Sequence, residues 1–92
     1  MDVAAANVSE RRLFLGECKW GDGEVSRHVL TDLIERSRRM PQLADPATTG
    51  WRADYALFAR VGFTAATKAA ARDLGVRLVT LDELEDDLAG EV

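Results

Sequence analysis

LFLGECKWGDG, residues 13 to 23, is the stretch from which the rest of the chain is read. With the two-residue period of a strand, Leu13, Leu15, Glu17 and Lys19 share one face, and Phe14, Gly16, Cys18 and Trp20 share the other. A hydrophobic strand therefore ends by presenting a carboxylate and an ammonium side by side. Gly21, Asp22 and Gly23 then break the pattern. Upstream, a hairpin whose tip is Ser9 and Glu10 pairs residues whose numbers sum to nineteen, which sets Asp2 opposite Glu17. Directly opposed side chains sit roughly 4.5–5.5 Å apart at Cβ, where two like charges destabilise unless something cationic lies between them. A divalent ion with oxygen ligands fits that gap.

Asp2, a fifteen-residue step, and then Glu17-Cys18-Lys19 within GECKW resemble the D…(D/E)xK signature of the PD-(D/E)XK, restriction-endonuclease-like superfamily. More narrowly, GECKW, the later YALFARVGFT and the closing GVRLVTLDEL are similar to the nuclease-like domain at the C-terminus of archaeal-type ATPases. The resemblance covers nearly the whole chain. It implies Mg²⁺ or Mn²⁺ held by Asp2, Glu17 and the backbone carbonyl of Cys18, with Lys19 orienting or deprotonating the water that attacks a DNA phosphodiester. It also implies a helix and a strand ahead of this core, so the chain is expected to be a C-terminal fragment of a larger protein or a shortened member. The superfamily's first helix commonly carries a further acid, and no residue here occupies that position.

The plainer reading of the same residues is that Glu17 and Lys19 form an ion pair at a strand end, which is worth little. On that reading the domain is a catalytically silent interaction or dimerisation module, serving an ATPase domain or another partner.

Ninety-two residues make one domain at most, 1–92, with a modest stability margin from its core. A chain 47% hydrophobic and 30% charged is globular, not disordered. No apolar run reaches membrane-spanning length and the start has no signal-peptide pattern, so a cytoplasmic protein is expected. One cysteine, Cys18, excludes an internal disulfide, and one histidine, His28, excludes the usual zinc clusters. The net charge of −4 is concentrated at the end: residues 82–92 hold six acids and no base, while residues 1–81 carry twelve bases against ten acids. Arg11-Arg12 and Arg36, Arg38 and Arg39 form local basic clusters that read as solvated surface or as phosphate contacts.

Residues 2–7 and 12–20 read as the strands of the hairpin, with Ser9-Glu10-Arg11 as a polar turn. From Glu24 to Met40, Val25, Val29, Leu30, Leu33, Ile34 and Met40 recur at helical spacing, with Asp22 as N-cap and Pro41 as the stop. Residues 41–53 read as the only long loop. Asp54 to Val61 is nearly continuous apolar sequence, the mark of a buried parallel strand. Thr64 caps a helix that runs through Leu74 and ends at Gly75. Val76 to Thr80 is a short strand, and Thr80 with Glu83, or Asp82 with Glu85, makes a capping box for a last acidic helix to about Ala89.

The order β-β-α-β-α-β-α predicts an α/β fold with a mixed, mostly parallel sheet of about four strands and flanking helices. Both crossover helices fall on one face. Strand 2–7 becomes an open edge, and the chain is expected to form a homodimer through it or through the uncovered sheet face. Trp20 either stacks on a DNA base or, more commonly for a strand-end Trp, covers the core. Cys18 points away from Glu17 and Lys19 and reads as a core thiol, and His28 as a surface residue.

Overall fold

In the computed structural model, which describes residues 2–83, four strands form one sheet in the order β1-β2-β3-β4. β1 (Val3–Asn7) and β2 (Arg12–Lys19) are the antiparallel hairpin. Their register pairs Val3 with Gly16 and Asn7 with Arg12, so paired numbers do sum to nineteen. The turn between them is held by Arg11 N donating to Val8 O and Glu10 N donating to the Asn7 side chain, with Arg11 at a φ of 55°. β3 (Arg52–Ala59) lies parallel to β2, and β4 (Arg77–Thr80) parallel to β3.

α1 (Arg27–Ser37) and α4 (Ala65–Leu74) make the two crossovers. Their buried residues Leu30, Leu33 and Ala71 meet Leu57 and Ala59 of β3 in one apolar cluster, which puts both helices on the same face of the sheet. A second cluster joins Leu13 and Leu15 of β2 to Leu43. α4 begins as its sequence dictates: Thr64 Oγ1 accepts from Thr67 N, and Gly75 closes the helix at a φ of 70° that few other residues adopt. Gly16 has a different use. A Cβ there would lie 3.3 Å from the Phe58 ring on the neighbouring strand, so its absence lets that ring lie across the hairpin.

Several boundaries depart from expectation. α1 begins at Arg27 with Ser26, not Asp22, as its cap, because Val25 is engaged elsewhere. Val25 forms an isolated parallel bridge with Phe63: its N–H donates to Gly62 O at 2.8 Å, and its carbonyl accepts from Thr64 N and from Thr67 Oγ1. α1 also ends at Ser37, before the proline, because the chain turns through Arg38–Met40. Residues 41–53 are not a plain loop: Pro41 and Pro46 open two short helices, α2 (Pro41–Ala44) and α3 (Pro46–Thr49), as a residue with φ already fixed favours at a first helical position. Arg52 and Ala53 belong to β3, drawn in by pairing with Arg12 and Leu13, and Val61 falls outside it. After β4, Glu83 N donates to Thr80 Oγ1 at 3.4 Å, the first half of the expected capping box. The rest of the helix expected to Ala89 lies outside the described residues.

Candidate functional site

β2 carries Glu17 and Lys19 to the C-terminal end of the parallel sheet, on the face that bears the helices. The last register pair is Val3 with Gly16, and just before it Asp2 lies against the backbone of β2. Asp2 N donates to Gly16 O at 3.2 Å, and Asp2 Oδ2 accepts from Cys18 N at 2.8 Å. The N–H and C=O of one strand residue leave the strand on the same edge. The Cys18 carbonyl therefore also faces the β1 edge where Asp2 lies. Asp2 and the backbone of Cys18 thus meet at the β1 edge, while the Glu17 side chain lies on the helix-bearing face against Arg36.

Glu17 is 5% exposed, a low value for a carboxylate, and it is not left to itself. Arg36, near the end of α1, donates from Nη2 to Glu17 Oε2 at 2.7 Å. That hydrogen bond raises the Arg36 guanidinium above its ordinary pKa, with the charges of Glu17, Asp32 and Asp2 acting the same way and partial burial opposing them. The cation that the opposed carboxylates call for is therefore, in this structure, a guanidinium. The expected partner of Glu17 in the plain ion-pair reading was Lys19; the ion pair seen here is instead with a residue nineteen positions away.

Arg36 was legible only as one of three basic residues. Its position three residues after buried Leu33 and one before buried Ser37 places it on the flank of the inward stripe of α1. That spacing, with a right-handed crossover from β2, is the signal that could have brought it over Glu17.

Beside Glu17 and Lys19 opens a groove of about 510 Å³ whose other wall is α1, with His28, Thr31, Asp32 and Glu35 along it. Lys19 is exposed and lines it beside Glu17. Arg11 and Arg12 stand at the other end of β2, seven residues or roughly 20 Å from Lys19 at a strand's rise. Arg12 is held by both oxygens of Asp54, and Arg11 reaches Thr49 O. Trp20, 46% exposed, does not cover the core and remains beside the motif as a stacking surface. Cys18 is half-buried; burial first, then the charges of Asp2 and Glu17, raise its thiol above the ordinary value, so it stays protonated and is a poor nucleophile near neutral pH.

Among the described residues, no three His, Cys, Asp or Glu side chains converge as a metal-holding group. The donor set nonetheless suits a hard ion. Mg²⁺ is usually held by one or two carboxylates, with water and substrate phosphates completing its shell, not by an all-protein cage. Asp2, Glu17 and the Cys18 carbonyl are the donors that would make up that share.

No protein family, curated protein or solved structure matches the chain. No helix of the described residues is long and apolar enough to cross a membrane.

Proposed function

We propose that this is a nuclease-like domain of the PD-(D/E)XK kind, from a cytoplasmic protein, that hydrolyses DNA phosphodiester bonds with Mg²⁺ or Mn²⁺. The observation that supports it is that Glu17 and Lys19 line an open groove at one end of β2, with the Asp2 carboxylate on the backbone of Cys18 between them in sequence. Asp2 and Glu17 hold the ion. When bound, such an ion lowers the pKa of a water and neutralises charge gathering on the phosphodiester. Lys19 would orient or deprotonate the attacking water. Trp20 offers a face for a base, and Arg11 and Arg12 could meet the DNA backbone only where it passes the far end of β2.

One observation favours a second reading, a catalytically silent interaction module of an ATPase-associated protein: Glu17 already holds an internal cation. Metal binding separates the two. Mn²⁺ titrated calorimetrically into the parent is expected to give a saturable heat that Glu17→Gln lacks. Equal heats from the two proteins would leave the silent module as the better account.

Assembly is a further part of the proposal. β1 is an edge strand with all five residues exposed, and its outer N–H and C=O groups are a template for a second chain. Two copies pairing through Val3–Asn7 make a self-complementary contact about a two-fold axis. Sedimentation equilibrium at micromolar concentration is expected to give twice the chain mass; a folded monomer with no concentration dependence would exclude the dimer.

A further inference from the structure

Glu17 lies almost out of contact with water, and a carboxylate in that position must keep a cation against it, because an uncompensated buried charge is strongly destabilising. Arg36 supplies that cation, through the oxygen Glu17 Oε2. An ion seated between Asp2 and Glu17 would draw on the same carboxylate.

Arg36 itself is incompletely satisfied in this arrangement. Its Nε is buried without an aligned hydrogen bond, although it lies 3.1 Å from Asp32 Oδ2, one turn back on α1. The Asp32 side chain is 63% exposed and that of Arg36 32%, so the guanidinium has a second carboxylate, nearer to solvent, onto which it can move without losing its counter-charge. One arginine thus stands between two acids, one buried and one wet.

Resting on the reading that Asp2 and Glu17 hold a divalent ion, we propose that Arg36 is the domain's own competitor for that site: it bridges Glu17 and Asp32 when metal is absent and keeps only Asp32 when metal binds. The arrangement keeps the buried carboxylate neutralised in both states. It also sets the apparent metal affinity, since only molecules with Arg36 withdrawn are competent to bind, and the measured dissociation constant is the intrinsic one divided by their fraction.

The test is Mn²⁺ titration calorimetry on the parent and on Arg36→Gln, with the Arg36 Nε–H resonance of the parent followed during a Mg²⁺ titration. Removal of Arg36 is expected to tighten Mn²⁺ binding by the inverse of the withdrawn fraction, about tenfold for a fraction of roughly one in ten. The Nε–H resonance is expected to shift with Mg²⁺ at the affinity that calorimetry gives. This second measurement needs no variant, so it decides the matter even if Arg36→Gln fails to fold. Mn²⁺ binding to parent and variant with equal affinity, or an Nε–H signal unmoved at saturating Mg²⁺, overturns the competition and leaves the nuclease reading standing. Absence of Mn²⁺ binding from both proteins overturns the two together.

Discussion

Replacing Lys19 by alanine is expected to lower metal-dependent cleavage of duplex DNA by at least about 10²-fold, the lower end of what a positioned proton-transfer group contributes. The same change should move stability by no more than about 0.5 kcal/mol, as for other surface positions. Lys19 is the last residue of β2 and is exposed, so its removal opens no cavity and leaves no buried group without a partner. The division between the two effects is the informative part. Glu17→Gln would also stop cleavage, but it takes the carboxylate from under Arg36 and so mixes chemistry with structure. Cleavage of supercoiled plasmid in Mn²⁺, alongside urea unfolding of the same samples, reads both quantities. A Lys19→Ala protein that cuts at the parent rate would show that the activity arises at another site or in a contaminant.

Leu15→Ala should produce a large loss of stability. Leu15 is 0% exposed and belongs to the cluster that ties β2 to Leu43. Truncating a fully buried leucine removes its transfer free energy and leaves a void that the neighbours fill only in part, a cost of roughly 2.7–5 kcal/mol. A chain of this length has a total stability of about 5–14 kcal/mol, at roughly 0.05–0.15 kcal/mol per residue. The variant is therefore expected to unfold at a much lower urea concentration, with an unchanged slope of free energy against denaturant. A midpoint close to the parent's would mean that α2 collapses into the space or contributes little to holding β2. Leu15 also precedes Glu17 by two on the same face, so the void would open beside the site.

Much of the architecture is legible from local pattern. The hairpin register follows from the polar turn and the alternation of residues 12–20, and Val3 indeed pairs with Gly16. The continuous apolar run after Asp54 marks a buried parallel strand, and Thr64 and Gly75 bracket α4 through side-chain and backbone chemistry contained within a few residues. What was missed is what the chain settles across distance. Val25 carries helical spacing yet is claimed by Phe63, thirty-eight positions on. The prolines at 41 and 46 read as breakers when each starts a helix. At the site, spacing alone puts Glu17 and Lys19 on one face of β2, whereas Arg36 could not be assigned to Glu17 without knowing how α1 lies over β2.

The Val25 bridge bears on more than a helix boundary. The backbone of Val25 donates to the turn after β3 and accepts from the first turn of α4, so the entrances to the two crossover helices are fastened to each other. In an open sheet such entrances are separate hinges, each free to tilt its own helix. Here they share one axle. An outward swing of α1 would pull, through the backbone of Val25, on the base of α4.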